Sequence, residues 1–417
     1  MKANLLCDKD IVALDVPDSV TLLEMKAATP VFDPAATVEK ALDNPIGSPR
    51  LSDLARGKRD ACIVISDITR PVPNQLILPP MLRVLEESGI PREKITILIS
   101  TGMHRPNEGA ELESIVGREI MENYTIRNHF CRRSDEYRLV DKIEGAPIEI
   151  NKYYLDAELK ILTGLIEPHF YAGFSGGRKS ILPGISSYDT MKFMHSYSVI
   201  NRLGGATCNL ENNIFHDYAL QVARLAGVDF ILNVAINKQR EITGVFAGDL
   251  NDAHLEGCKM IADHSVIRLP EKVDLVITSA GGFPLDSSFY QVSKALTCSK
   301  EILNPGGTIL VTCGCREGMG NEEFCGIMEH VCKPDDFFNH YCEPDNFVID
   351  QWCAQNIFQA LDHAGKVYVY SPGLSAPSLK GIGAEKVEDP QAVVDQLIKT
   401  HDKVVVIPDG PYVVGKV

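Results

Sequence analysis

Short runs of apolar, mostly β-branched residues recur along the chain, separated by more polar stretches of helical length. Eight such runs cover residues 61–66, 95–100, 159–166, 230–236, 273–279, 307–313, 366–371 and 403–408. Their apolar residues are continuous instead of alternating, which is typical of parallel strands covered on both faces. The pattern predicts an α/β fold in which mainly parallel sheets are covered by helices.

Two segments that depart from this pattern indicate how the chain is divided into domains. Residues 1–45 alternate between polar and apolar, as in "NLLCDKDIVALDV", which predicts a β-hairpin or meander that adds antiparallel strands to the first domain. A polar stretch with a proline at 263–274 precedes a new strand. We therefore predict two α/β domains, at 1–266 and 267–417, with the active site in the cleft between them.

Three predicted strands are each followed at once by a loop rich in polar and charged residues. The loops read D-x-T-R-P at 67–71, T-G-x-H-R-P at 101–106 and E-P-H at 167–169. Ligands of open α/β sheets bind outside the carboxyl ends of the strands, so these loops are expected to converge on one crevice. Glycine-rich loops at 280–284 and 314–318 predict a similar arrangement in the second domain.

Overall composition restricts the partners. A net charge of −15 argues against nucleic acid or an anionic membrane, because the chain would repel phosphate. No apolar run is long enough to span a membrane and the start lacks a signal-peptide core, so we expect a cytoplasmic protein. The twelve cysteines show no C-x-x-C pair, which favours reduced, mostly buried thiols over a structural zinc site.

The segment "EPHFYAGFSGGRKSILPG" at 167–184 is almost a phosphate-binding P-loop, but Arg178 occupies the position where that motif needs glycine. Three glycines allow close backbone approach to a ligand, namely Gly173, Gly176 and Gly177. Arg178 adds positive charge for an anion. Lys179 then has two interpretations, as part of a phosphate cradle or as a covalent anchor.

Other side chains suggest acid–base chemistry on a carboxylate substrate. His104 and His169 follow two different strands, and a pair of imidazoles suits a reaction that inverts a carbon centre. Arg70 can grip a carboxylate with two hydrogen bonds, while Asp67 and Thr69 can cap a helix or contact a ligand.

Further candidates lie outside these loops. Gln291 and Lys294 share one face of a predicted helix, although such pairs are more often solvated. The imidazole of His195 on another predicted helix suits nickel or zinc. Trp352 at the start of a helix is more typical of a core residue.

Taken together, these motifs, His195 and Y-Q-x-x-K at 290–294 resemble the lactate racemase family, the nickel-pincer nucleotide enzymes. The resemblance runs in order through the chain from about residue 10 and is most specific in the long glycine motif. It implies an isomerase that inverts C2 of a 2-hydroxy acid. Hydride passes from C2 to the cofactor, a 2-keto acid forms, and hydride returns to its other face.

The resemblance also implies roles for individual residues. The cofactor, nickel bound to pyridinium-3,5-bisthiocarboxylic acid mononucleotide, is attached to Lys179 through a thioamide, and His195 completes the nickel coordination. His104 and His169 are the acid/base residues, while Arg70 and Lys294 hold the substrate carboxylate. The expected cofactor or substrate contacts are Asp67, Thr69, Gly173, Gly176, Gly177, Arg178, Tyr290, Gln291 and Trp352.

Several alternatives stay open at this point. A P-loop-like nucleotide-binding protein or kinase is the main competitor, and a cofactor-carrying sensor is another. The substrate is lactate, malate, an aromatic lactate, hydroxyglutarate or a sugar acid. Cofactor-maturation enzymes are expected partners, and the chain alone does not decide whether it forms a homo-oligomer.

Overall fold

The computed structural model describes residues 1–203, 206–237 and 239–417. Its strands are β1 (Lys2–Cys7), β2 (Asp10–Asp15), β3 (Thr21–Leu22), β4 (Ala61–Ser66), β5 (Ile95–Ser100), β6 (Thr125–Asn128), β7 (Tyr137–Ile143), β8 (Ala146–Asn151), β9 (Leu159–Leu165), β10 (Pro168–His169), β11 (Gly173–Phe174), β12 (Phe230–Ile236), β13 (Ile242–Gly248), β14 (Val266–Arg268), β15 (Val273–Ser279), β16 (Leu303–Thr312), β17 (Lys366–Tyr370), β18 (Glu385–Val387), β19 (Val404–Ile407) and β20 (Val414–Lys416).

The α-helices are α1 (Pro34–Asp43), α2 (Leu51–Ala55), α3 (Asn74–Glu87), α4 (Gly109–Val116), α5 (Arg118–Asn123), α6 (Lys152–Leu155), α7 (Tyr188–Met194), α8 (Tyr197–Ile200), α9 (Ile214–Ala226), α10 (Asp252–Ser265), α11 (Phe289–Ile302), α12 (Glu322–His330), α13 (Pro334–Tyr341), α14 (Gln351–His363), α15 (Ala376–Gly381) and α16 (Pro390–Leu397). A 3₁₀ turn, Gly177–Ser180, lies in the glycine-rich segment. Within the described ranges, no helix is both long and apolar enough to cross a membrane.

The chain divides into two compact units. The central unit comprises Ala27–Met194 and Asn209–Asp263, and the terminal unit comprises Met1–Lys26, His195–Cys208 and His264–Val417. All eight apolar runs form strands, each assigned to one of two six-stranded sheets. The predicted α/β class is confirmed.

The sheet of the central unit has the order β13-β12-β9-β4-β5-β6 and is parallel except for β13. From β4 the chain builds outward through β5 and β6, then crosses to β9 on the other side of β4. The carboxyl ends of β4 and β9 therefore form a topological switch point, where open α/β sheets leave a ligand crevice.

The sheet of the terminal unit has the order β18-β17-β16-β15-β19-β3 and is parallel throughout. Its switch point lies between β15 and β19, because the chain adds β16, β17 and β18 on one side of β15 before returning to the other. Helix α11 follows β15 and packs against α14.

The N-terminal segment was expected in the first domain, and the structure corrects that expectation. β1 and β2 do form an antiparallel hairpin, but their apolar side chains, including Leu5 and Leu14, share a core with Leu275 and Ile277 of the terminal unit. β3 pairs in parallel with β19. Alternation predicts a strand but cannot choose the sheet, because that choice depends on long-range packing.

The second difference from the predicted 1–266 and 267–417 concerns residues 195–208, which belong to the terminal unit. The carbonyl of Tyr197 accepts a hydrogen bond from Gln355 Nε2 on α14 at 3.4 Å. Thr207 Oγ1 donates to Glu301 Oε1 on α11 at 2.7 Å. The main change of unit near residue 264 lies within the predicted boundary stretch.

Candidate active site

Three loops of the central unit present polar side chains at equivalent positions. Arg70, His104 and His169 are each the fourth residue beyond the end of β4, β5 and β9. These three strands are adjacent, with β4 in the middle, so the loops leave the same edge of the sheet. The predicted convergence of the loops follows from this order.

The first loop carries a buried carboxylate beside a more exposed arginine. Asp67 is 3% exposed, and its Oδ1 accepts a 2.6 Å hydrogen bond from Thr69 Oγ1. Arg70 Nη1 lies 3.2 Å from Glu167 Oε1, so an ion pair joins the loops after β4 and β9 at the switch point. Glu167 was not singled out from the sequence as a site residue; its position directly after a strand was the available signal.

The second loop places His104 against that carboxylate. His104 Nδ1 lies 2.7 Å from Asp67 Oδ2. Burial alone would raise the pKa of Asp67, but hydrogen bonds from His104 and Thr69 and the nearby charge of Arg70 outweigh it and lower the pKa. Asp67 is therefore ionised at neutral pH, and neutral His104 carries its proton on Nδ1, leaving the Nε2 lone pair as a proton acceptor.

Replacing Asp67 with asparagine is expected to cost stability at neutral pH. The carboxylate accepts two hydrogen bonds, one from an imidazole, so the loss at pH 7 should be about 1–3 kcal/mol. Because the folded-state pKa is lowered from 3.8, this contribution is present above that value and is lost as pH falls through the folded pKa. Urea unfolding at pH 7 and at lower pH should show the difference from wild type shrinking, with the exposed Asp43→Asn as control; a pH-independent difference would contradict the assignment.

The third loop holds His169 in the opposite tautomer to His104. Its Nδ1 accepts backbone N–H groups of Tyr171 and Ala172, at 3.0 and 3.2 Å. A ring nitrogen that accepts hydrogen bonds carries no proton, so neutral His169 carries its proton on Nε2. The two histidines therefore flank β4 with one Nε2 ready to accept a proton and the other ready to donate one.

Lys179 lies in the 3₁₀ turn, directly beside this second histidine. Its Nζ is 2.7 Å from His169 Nε2, and the buried Phe215 ring of α9 lies 5.5 Å away. The glycine-rich segment thus brings Lys179 to the acid/base group, as expected for a segment that carries both.

Three of the four glycines of this segment, those singled out from the sequence, are explained by contacts within the protein. Gly173, Gly176 and Gly177 all have positive φ, and a Cβ at these positions would lie 2.4 Å from the Asn209 carbonyl oxygen, 2.6 Å from Asn233 Oδ1 and 2.8 Å from His254 Cδ2. The Gly177 amide already donates to Asn233 Oδ1 at 2.7 Å. Close approach of protein atoms is therefore enough to require glycine here.

Gly177→Ala should accordingly destabilise the protein by roughly 1–3 kcal/mol beyond the cost of the left-handed backbone, because the new methyl would overlap the His254 ring. Gly57 is a matched control, since it also has a positive φ and a Cβ there would meet nothing within 4 Å. Comparing urea unfolding of Gly177→Ala and Gly57→Ala separates the two costs. Equal losses would show that the His254 contact is relieved by a small shift.

Arg178 is turned into the interior and is 1% exposed. Nη1 donates to His254 Nε2 at 2.8 Å and Nη2 donates to the Ala172 carbonyl at 2.6 Å. Desolvation lowers the pKa of Arg178 to about 10 and that of His254 well below its ordinary value. This side chain supports the Ala172 backbone that holds His169, which differs from the expected contact with a phosphate.

His254 and Asn233 were missed by sequence reasoning. Asn233 interrupts the apolar run of β12 and is fully buried, and an isolated amide in such a strand was the available signal. His254 lies near the start of α10 with no motif around it, so only the folded chain reveals its contact with Arg178.

The remaining predicted residues lie in the terminal unit. His195 directly follows α7 instead of lying within a helix, and its ring contacts that of Trp352 with centroids 4.7 Å apart. Trp352, in the first turn of α14, is 8% exposed. Tyr290, Gln291 and Lys294 lie on the first turns of α11.

The Gln291 amide has an unusual environment. Its Oε1 is buried and has no hydrogen-bond partner among the described residues, a costly arrangement that a ligand donor would relieve. The pKa of Tyr290 lies well above its ordinary value, mainly because the hydroxyl is buried.

The thiols are mostly buried, as predicted. None of the twelve cysteines forms a disulfide, and seven are buried. In the parts of the chain that the structure covers, no cluster of three or more His, Cys, Asp or Glu is arranged to hold a metal ion.

Known proteins match this chain along most of its length. The model of the lactate racemase N-terminal domain matches residues 7–205, and that of the lactate racemase C-terminal domain matches 269–414. The lactate racemase of Lactiplantibacillus plantarum is 38% identical over 389 residues, covering 91% of this chain and 90% of that protein.

The lactate racemase of Thermoanaerobacterium thermosaccharolyticum is 35% identical over 420 residues and covers 97% of both chains. The solved apoprotein structure of lactate racemase from that organism superposes with a TM-score of 0.92 at 34% identity and full coverage of both chains. The chain therefore belongs to the lactate racemase family and is an isomerase.

Proposed function

We propose that this protein inverts C2 of a 2-hydroxy acid by moving a proton and a hydride off the substrate and back onto its other face, through a 2-keto acid. The observation that carries this proposal is the pair of histidines with complementary protonation after β5 and β9. Inversion needs an acceptor for the hydroxyl proton on one side and a donor on the other. A site that only binds a carboxylate would not need this pair.

In this reaction His104 accepts the hydroxyl proton at Nε2, while Asp67 orients the ring and stabilises the imidazolium that forms. His169 supplies its Nε2 proton to the oxygen when the alcohol is regenerated. The opposite enantiomer uses the two histidines in the reverse order. Arg70 binds the substrate carboxylate together with Lys294, and its contact with Glu167 limits the orientations of the guanidinium.

The residues fit the cofactor that the family resemblance implies. Lys179 offers an amine at a half-buried position, which suits a covalent anchor, and the imidazole of His195 suits nickel. We propose that nickel bound to pyridinium-3,5-bisthiocarboxylic acid mononucleotide is attached to Lys179, with His195 as the protein's nickel ligand. When bound, this group supplies the hydride acceptor that amino acid side chains lack.

The glycine-rich segment was expected to contact this nucleotide through its glycines and Arg178. Amides of Ser175, Gly177 and Lys179 already donate to protein acceptors, and Arg178 is buried against His254. We therefore leave these groups out of the phosphate site. The same contacts weigh against the alternative of a P-loop nucleotide-binding protein or kinase, which needs such amides open to phosphate.

Thr69, Tyr290, Gln291 and Trp352 are proposed cofactor or substrate contacts, of which Gln291 has the supporting unpartnered oxygen. Lactate is named for both relatives, so it is the first substrate to test. Maturation enzymes as partners, a cytoplasmic location and a homo-oligomer stay predictions.

The test is loss of optical rotation with protein made together with the cofactor-maturation enzymes. Single enantiomers of lactate, malate, phenyllactate, 2-hydroxyglutarate and a sugar acid are incubated separately, and each product is resolved by chiral chromatography. We expect one acid to reach an equal mixture of enantiomers, or for a sugar acid its C2 epimer, with a 2-keto acid trapped in small amount by a hydrazine. Protein that carries nickel and the nucleotide but leaves every enantiomer unchanged would refute the proposal.

A further inference from the structure

The contact between His169 and Lys179 limits which nitrogen atoms of the two side chains can carry a proton. The backbone N–H groups of Tyr171 and Ala172 both donate hydrogen bonds to Nδ1 of His169. An imidazolium would place a third N–H against these two, so the ring is held neutral with its single proton on Nε2. That proton points along the 2.7 Å contact to Lys179 Nζ.

A hydrogen bond of this length needs one donor and one acceptor. Since Nε2–H is the donor, Nζ must accept, and only an uncharged amine has a lone pair for this. We infer that, before any cofactor is attached, His169 donates its Nε2 proton to Lys179 and holds this side chain as a neutral, nucleophilic amine. The inference rests on the proposed function only for the group that the amine then attacks.

The surroundings favour the neutral form in part. Lys179 is half-buried, and the neighbouring Arg178 is a buried cation that disfavours a second positive charge nearby. The Phe215 ring attracts an ammonium, but 5.5 Å is close to the limit of about 6 Å at which that attraction matters. The titratable residues on β4, β9 and α9, which pack against this turn, are Cys62, Lys160, His216, Asp217, Tyr218 and Arg224. From α10, His254 contacts Arg178 of the turn, and Cys258 contacts His254.

A neutral amine is what thioamide formation requires. The nitrogen lone pair forms the bond to the carbon of a thiocarboxylic acid, and the carbon–oxygen bond breaks. The oxygen leaves as water, with its own proton and one proton from the amine, so no oxidant or reductant is needed. An ammonium has no lone pair and cannot take this step.

Attachment would also change what His169 can do. The nitrogen of a thioamide delocalises its lone pair and does not accept a hydrogen bond. Lys179 then stops accepting the Nε2 proton, which becomes available to a substrate oxygen. His169 would thus first prepare the anchor and afterwards serve as the acid of turnover.

The inference is tested on the protein made without maturation enzymes. Trace labelling with acetic anhydride across pH 6–11, followed by peptide mass spectrometry, gives the midpoint of reactivity of each lysine. We expect the Lys179 midpoint to lie about one pH unit or more below that of the exposed Lys40. His169→Leu should raise it by about the same amount, whereas His104→Leu should leave it unchanged. A Lys179 midpoint equal to that of Lys40, or one that His169→Leu does not move, would overturn the inference.

A second measurement needs no variant and covers the case in which His169→Leu fails to fold. Nitrogen-15 NMR of histidine-labelled protein should show His169 at neutral pH with Nδ1 unprotonated and Nε2 protonated; an imidazolium or the reverse tautomer contradicts the inference. The two proposals fail separately. A low Lys179 midpoint in a protein without racemase activity refutes only the proposed function, and an ordinary midpoint in an active racemase refutes only this inference.

Discussion

His104→Gln and His169→Gln should each lower kcat for racemisation by about 10²–10⁴-fold, starting from either enantiomer. The size of the effect follows from the loss of a positioned proton acceptor or donor in the transition state. Both starting enantiomers are affected because each passes through both histidines, one on the way to the 2-keto acid and one on the way back. Initial rates from each pure enantiomer, measured by chiral chromatography on fully loaded protein, test this.

Arg105→Gln is the matched control for the first of these variants. Arg105 follows His104 directly, but its guanidinium binds Glu111 at 2.6 and 2.7 Å. Its replacement should change kcat by less than about threefold, the usual scale for an exposed ion pair. Full activity in either histidine variant would remove that histidine from the acid/base pair.

Lys179→Ala should abolish the covalent adduct and lower racemase activity at least about 10³-fold, to the rate of protein without cofactor. A tethered group reacts at a high effective concentration in one orientation, and both advantages disappear when the anchor is removed. The intact mass of wild-type protein made with the maturation enzymes should exceed the chain mass by one nucleotide adduct. The variant should show the chain mass alone.

Lys40→Ala controls for a general effect of removing a lysine, since Lys40 is exposed on α1. It should keep the adduct, the nickel content and the activity of the wild type. An adduct of unchanged mass on Lys179→Ala would show that another residue is the anchor. Wild-type protein without adduct or nickel, despite the maturation enzymes, would refute the cofactor assignment itself.

The fold prediction rested on apolar residues that are continuous, not alternating, within each strand. The eight apolar runs are continuous because both faces of their sheets are covered, so they were recognisable without any contact information. The runs 61–66 and 95–100 match β4 and β5 residue for residue. The hairpin at the N-terminus was equally clear, but its sheet was not, since alternation states only that one face is buried.

The candidate site, too, could be predicted from the sequence only in part. Strand-end loops could be read as a ligand crevice because parallel strands end at one edge, and that argument selected Arg70, His104 and His169. The role of Asp67 could not be read, since a carboxylate after a strand fits a helix cap as well as an imidazole partner. Its 2.7 Å contact with His104 joins residues 37 positions apart, and local pattern has no information at that separation.

The sequence by itself determined the class of fold, the strands, the loops that carry chemistry and the family, because each depends on residue types at short spacing. Only the tertiary structure decided which nitrogen of each histidine holds a proton, since this depends on Asp67 Oδ2 for His104 and on two backbone amides for His169. It also decided that Arg178 and the loop glycines serve internal packing. Those outcomes depend on atoms that only folding brings within hydrogen-bond distance.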